Sequence, residues 1–103
     1  MAFLEYMNAI TGWDLDYEEI ILTGKRITTL LHGFNLREGF KPGDFKLPER
    51  VNGNPPMKAG GLKDVTIDSE GLKRQFYEAM GFDVETGAIR REKLEALGLQ
   101  DLL

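Results

Sequence analysis

The chain has 103 residues and a mass of 11.6 kDa, is 42% hydrophobic and 29% charged, and carries a formal net charge of -4. That length supports one small domain with one modest core. Its 13 basic and 17 acidic residues are scattered and leave no basic footprint for nucleic acid, and the absence of cysteine excludes disulfide scaffolds, thiolate zinc sites, iron–sulfur ligation and cysteine nucleophiles.

Residues 2–11 carry Phe3, Met7 and Ile10 at helical spacing, with Gly12 where a left-handed helix end belongs. The next helix has the strongest local signal. Asp16 at its N-cap and Glu19 three residues on form a capping box, and Leu15 can staple onto Ile20. Tyr17, Ile20, Ile21, Gly24, Thr28, Leu31 and Phe34 then keep one stripe to about Leu36. Gly24 within that stripe weakens the helix by about 1 kcal/mol relative to Ala unless another backbone approaches there.

Residues 40–64 hold all four prolines (Pro42, Pro48, Pro55 and Pro56) and keep neither a strand nor a helix period, although Leu47–Arg50 can make one turn. A stretch of that length without structure is unusual inside a compact domain. Phe45, Leu47, Val51, Met57 and Leu62 favour an extended arm lying on a surface outside this chain over a disordered linker. A third helix opens at Asp68, with Ile67 and Leu72 as a second staple, and runs through Leu72, Phe76 and Ala79 to Met80, where Gly81 ends it. A turn at 83–87 leads to a short helix over about 90–97, closed by Gly98. The expected fold is all-α: about four helices with one long irregular Pro/Gly-rich connection. The expected layout is a helical pair at 1–39, the arm at 40–64 and a second helical pair at 65–103.

Each candidate for chemistry has a plainer structural explanation. Asp14, Asp16, Glu18 and Glu19 crowd one helix start, but a calcium loop needs Gly at its sixth place and Glu at its twelfth, where Glu19 and Lys25 stand. Capping and the helix dipole account for them. His32, the single histidine, falls on a polar side of the long helix and reads as a solvated residue. No phosphate loop or dinucleotide fingerprint occurs. Arg90, Arg91 and Lys93 balance Glu92 and Glu95 on a solvated face, and Trp13 and Tyr17 are expected to fill the core. The run Phe34-Asn35-Leu36-Arg37-Glu38-Gly39-Phe40 has two readings. It is a C-cap and exit turn in which Asn35 and Arg37 satisfy the last helical carbonyls, or a contact to another domain's backbone or an anion. No residue is assigned a catalytic, cofactor-binding or metal-binding role.

Taken in order, Asn8-Ala9-Ile10-Thr11-Gly12-Trp13-Asp14, Gly24-Lys25-Arg26-Ile27, the 34–40 run, Leu47-Pro48-Glu49-Arg50, Tyr77 to Asp83, and Glu92 to Leu99 resemble the C-terminal part of the aldehyde ferredoxin oxidoreductase family. The resemblance spans nearly the whole chain. It implies a parent enzyme with tungsten (or molybdenum) held by two pterins beside one [4Fe–4S] cluster, oxidising aldehydes with ferredoxin as electron acceptor. It also implies that the cluster cysteines and pterin-binding motifs lie upstream of Met1, so no family site residue maps onto this sequence. Where the family often has Pro-Thr before the last helix, Ile89-Arg90 stand here, which removes an N-cap. Near the end of the third helix, Met80-Gly81-Phe82 replaces a Trp-containing turn.

Two functional expectations follow. One is a non-catalytic C-terminal helical domain that packs against the upstream, cofactor-bearing part of such an enzyme and shields it from water. The alternative is a stand-alone helical protein-interaction module. Both imply bare apolar surface and self-association of the isolated chain. A cytoplasmic location is expected, with neither nucleic acid nor membrane as partner. No apolar run approaches the roughly 18 residues of a membrane span, and Met1 to Glu5 shows neither the basic start nor the apolar stretch of a signal peptide.

Overall fold

Glycines in the left-handed region close the helices, at Gly12, Gly39, Gly81 and Gly98. The computed structural model describes residues 2–101 and places α1 at Ala2–Thr11, α2 at Tyr17–Arg37, α3 at Ser69–Met80 and α4 at Arg91–Ala96. A single 3-10 turn lies at Pro42–Asp44. Among the described residues there is no sheet, only the isolated bridges Met57 with Lys63 and Phe82 with Ile89. The fold is all-α.

The helix starts follow the capping chemistry of the sequence. The Asp16 carboxylate accepts from the Glu19 amide at 2.9 Å, and the Glu19 carboxylate accepts from the Asp16 amide at 2.9 Å. Asp68 accepts from the Gly71 amide at 3.0 Å. Arg90, at the start of α4, supplies no side-chain cap. At the C-terminal ends α2, α3 and α4 share one motif. The amide of the glycine bonds three residues back and the next amide bonds five back: Gly39 to Leu36 and Phe40 to Asn35, Gly81 to Glu78 and Phe82 to Tyr77, Gly98 to Glu95 and Leu99 to Leu94. Backbone amides therefore take the last carbonyls of α2, not Asn35 or Arg37 as expected. The Arg37 guanidinium instead lies over the Phe34 ring at 5.6 Å, beside Glu38.

The core is small and sits at the C-terminal end. Tyr77, Met80, Phe82, Ile89 and Leu94 form it, with Leu36, Val84 and Leu99 packed against it and Leu97 buried beside it. Phe82 is 0% exposed and meets Tyr77 edge-on, with ring centroids 5.7 Å apart. Asp83 shapes the turn that returns the chain to this core: its carboxylate accepts from the amides of Glu85 and Thr86 and from the Thr86 hydroxyl. From α2 the buried positions are Thr29 and Gly33.

That choice of face reverses the sequence expectation. Nine residues are two and a half helical turns, so Thr29 lies opposite Ile20, and Gly33 opposite Gly24. The apolar stripe of Tyr17, Ile21, Leu31 and Phe34 consequently points outward and is exposed. In α3 the core side is kept but only partly covered: Tyr77 and Met80 are buried, Phe76 borders the core with its ring 6.3 Å from that of Phe82, and Leu72 is exposed. The 82–99 segment supplies Phe82, Ile89 and Leu94 to the core that α2 and α3 flank, and it is too small to cover more than part of either helix.

Residues 40–64 form a succession of tight turns. The Val51 amide reaches the Pro48 carbonyl at 2.9 Å, the Asn54 amide reaches Glu49 at 2.9 Å, and Asp64 reaches Met57 at 3.0 Å. The Ile67 amide bonds to the Asn52 carbonyl at 2.7 Å, which ties the end of the connection back to its middle. Phe45, Leu47, Val51, Met57 and Leu62 all remain exposed.

Candidate functional site

The polar candidates resolve into structure. Asp16 and Glu19 are engaged in the capping box. Among the described residues no three His, Asp or Glu side chains come together where they could hold a metal ion. His32 is not the solvated residue expected. It is half-buried, stacked on Phe82 with centroids 4.2 Å apart, and its Nε2 lies 2.6 Å from the Gly87 carbonyl. Its neighbours are core aromatics brought in by α3 and the 83–87 turn, a pairing across some fifty residues with no local signal. Arg26, which the sequence offers only within the Gly24–Ile27 motif and with no indication of a partner, donates from its Nε to the Leu97 carbonyl at 3.0 Å and fastens the end of α4 to α2.

The clefts beside α3 offer no convergent chemistry. Two open hollows of about 430 and 460 Å³ flank Lys73 where the 3-10 turn meets the helix. The Lys73 ammonium is already held by the Pro42 carbonyl at 3.1 Å and by Glu70 at 3.3 Å. The Asp83 carboxyl is held below the usual carboxylate range first by the Thr86 amide, then by the Thr86 hydroxyl and the Glu85 amide. These bonds close a turn.

What distinguishes the molecule is its surface. Among the described residues, twenty large hydrophobic side chains are exposed against six buried. Trp13 and Tyr17, expected in the core, are 59% and 52% exposed. They lie where α1 turns into α2, a corner fixed by the Asn8 side chain bonding both the amide and the carbonyl of Leu15 at 2.9 Å. The exposed residues cover α1 (Phe3, Tyr6, Ile10), the α2 stripe, the 40–64 connection and α3. The accessible surface is 8023 Å², whereas a compact monomer of this mass exposes about 5,800 Å². The radius of gyration is 17.9 Å, against about 13 Å for a compact domain of this length. With extents of 51 × 36 × 20 Å the molecule is a slab about two helix layers thick. The excess of roughly 2,000 Å² matches one side of a permanent interface.

The sequence matches, over residues 1–99, the family model described as aldehyde ferredoxin oxidoreductase, domains 2 & 3. It is 34% identical over 100 residues to a tungsten-containing aldehyde ferredoxin oxidoreductase of Pyrococcus furiosus, covering 96% of this chain and 16% of that protein. It is 33% identical to the protein of the same description from Thermococcus kodakarensis and 31% to that from Pyrococcus abyssi, covering 98% of this chain and 16% of the relative in both cases. The chain thus spans about a sixth of the length of the curated relatives it matches. No solved structure matches. The residues here do not fit an iron–sulfur cluster, having no thiolate, and among the described residues no group of three His, Asp or Glu could hold a metal ion directly. With the family model matched over residues 1–99 and relatives of 31–34% identity, the chain belongs to the aldehyde ferredoxin oxidoreductase family, in its C-terminal region.

Proposed function

We propose that this chain is the non-catalytic C-terminal helical part of an aldehyde:ferredoxin oxidoreductase-like enzyme with a tungsten bis-pterin and a [4Fe–4S] cluster, and that it packs against the part bearing those cofactors. The outward-facing apolar surface carries this reading. Burial of apolar area stabilises by roughly 25 cal/mol per Å², so covering the exposed aromatic and aliphatic side chains of α1, α2 and the 40–64 connection is a drive to associate. The 40–64 connection serves as an arm along the same body, presenting Phe45, Leu47, Met57 and Leu62 to it. Closing the cofactor-bearing part on this side excludes water, which strengthens the electrostatics of a buried reaction centre. Aldehyde oxidation with ferredoxin as acceptor is then the activity of the whole polypeptide, to which this part contributes enclosure and rigidity.

The test is a double substitution, Leu31→Asp with Phe34→Asp, in the polypeptide as the source cell makes it. Both side chains are exposed in this chain, so the local fold tolerates the change. Tungsten content and aldehyde-dependent ferredoxin reduction are then measured. The expected result is loss of bound tungsten and of activity. Unchanged metal content and activity would overturn the proposal.

A further inference from the structure

We propose that Asn52 is a self-modification site: in the folded polypeptide Asn52-Gly53 closes to a succinimide and opens to aspartate or isoaspartate, which unfastens the 40–64 connection. The inference goes beyond the packing reading and stands on the clamp between residues 52 and 67. Glycine is required at 53, where φ is +79° and a Cβ would collide with the Val65 carbonyl oxygen. The residue after Asn52 therefore has no side chain to keep its nitrogen from the Asn52 Cγ. The clamp itself activates that nitrogen. The Ile67 amide donates to the Asn52 carbonyl at 2.7 Å, and this carbonyl shares one peptide unit with the Gly53 nitrogen. When the Gly53 N–H loses its proton, resonance moves the negative charge onto that oxygen, where a donor already stands. The bond given up is a long one, 3.2 Å to the Arg50 carbonyl. The Asn52 Oδ1 is buried without a hydrogen-bond partner, so no bond at that oxygen restrains the side chain as Cγ turns toward the nitrogen. Asn52 also lines an open cleft of about 360 Å³ beside the start of α3, which admits water.

The chemistry needs only water. The deprotonated Gly53 nitrogen bonds to Asn52 Cγ, the Cγ–Nδ2 bond breaks, and Nδ2 leaves as ammonia with one proton from solvent. Water then adds to one of the two ring carbonyls and breaks its bond to nitrogen. Opening at Cγ gives aspartate. Opening at the Asn52 carbonyl carbon gives isoaspartate, whose main chain runs through Cβ and Cγ and is one carbon longer. Either product damages the clamp. Aspartate puts a charge where Oδ1 is buried and unpaired. Isoaspartate turns the carbonyl that Ile67 holds into a free carboxylate and shifts the 48–54 turns. The other asparagines are blocked. Asn54 precedes Pro55, whose nitrogen carries no hydrogen. Asn35 lies within α2, where helical bonding holds the Leu36 amide. The Asn8 side chain is tied to Leu15 through both its oxygen and its nitrogen.

The experiment incubates the folded full polypeptide, as the source cell makes it, in heavy-oxygen water at mildly alkaline pH. Peptide mass spectrometry reads each conversion by its uptake of the heavy oxygen. The same is done with the urea-unfolded polypeptide and with Ile67→Pro, which has no amide hydrogen to donate, once its circular dichroism matches the wild type. The expected result is conversion at Asn52 with Asn8, Asn35 and Asn54 intact, and a severalfold slower conversion in Ile67→Pro. The converted fraction is also cut faster by trypsin after Lys58 and Lys63. If Asn52 stays intact in the folded polypeptide while the unfolded one converts, the fold shields the pair and the inference fails. If Ile67→Pro converts as fast as the wild type or faster, the activating role of the Ile67 amide is wrong.

Discussion

The imidazole of His32 lies flat on the ring of Phe82, with centroids 4.2 Å apart and planes 8° from parallel, while Tyr77 meets it edge-on at 5.5 Å. Because carbonyls only accept, the 2.6 Å approach of Nε2 to the Gly87 oxygen requires the Nε2–H form as donor. One side chain of α2 thereby binds both the end of α3 and the turn that follows it. An aromatic pair and a hydrogen bond each contribute of order 1 kcal/mol. His32→Ala therefore lowers stability by about 2 kcal/mol, read as a shift of the urea midpoint. His32→Phe, which keeps the stack and orphans the buried carbonyl, lowers it by about 1 kcal/mol.

The centre of the core gives a larger effect. Phe82 is fully enclosed, and its backbone also closes α3. Phe82→Ala destabilises by about 3–5 kcal/mol, enough to abolish cooperative unfolding in a chain with so small a core. Near-ultraviolet circular dichroism records the loss.

At the start of α4, Arg90 has the extended backbone of an N-cap, with φ -64° and ψ 138°, and makes no capping bond. Arg90→Thr supplies the missing acceptor and raises stability by about 1 kcal/mol, which corresponds to roughly 4–8 °C in Tm for a domain of this size. Thermal unfolding followed at 222 nm measures it. No gain would mean that the packing of Leu94 and Leu97 and the Arg26 bond to the Leu97 carbonyl already hold α4.

The other end of α4 depends on Arg26. Removing its guanidinium with Arg26→Ala leaves the Leu97 carbonyl without this donor and costs about 1–2 kcal/mol. Because the bond spans α2 and α4, the expected signature is faster amide exchange at Leu97, Gly98 and Leu99, with α1 unchanged.

Asp83 sets the acid response. Its carboxyl titrates below the ordinary value of 3.8 because the Thr86 amide, the Thr86 hydroxyl and the Glu85 amide all bond to the charged form. A folded-state value below the unfolded one means that the contribution is fully present above the unfolded value and is lost as pH falls through the folded one. Stability of the wild type therefore declines below about pH 4, and Asp83→Asn flattens that part of the curve. Denaturation midpoints at pH 6, 4 and 3 compare the two.

Local chemistry was legible in the sequence because its partners lie within a few residues. Asp16 with Glu19, Asp68 at the opening of α3, and the glycines at 12, 39, 81 and 98 act where sequence reasoning placed them. The family was legible for a related reason, since its motifs occur in order along nearly the whole chain. The orientation of α2 was not. Hydrophobic periodicity marks the stripe of Tyr17, Ile21 and Leu31 but does not say who covers it, and within this chain Thr29 and Gly33 face the core instead. Trp13, Tyr17 and His32 were misplaced by the same assumption, that the apolar face of a helix meets its own domain.

On the reading proposed above, the rest of a tungsten enzyme covers this apolar surface. The most direct measurement is the native mass and tungsten content of the species that carries this sequence, purified from source cells and identified by peptides such as 34–40. The account predicts one polypeptide several times 11.6 kDa that co-elutes with tungsten. A tungsten-free species of about 11.6 kDa, alone or as a dimer, would contradict it.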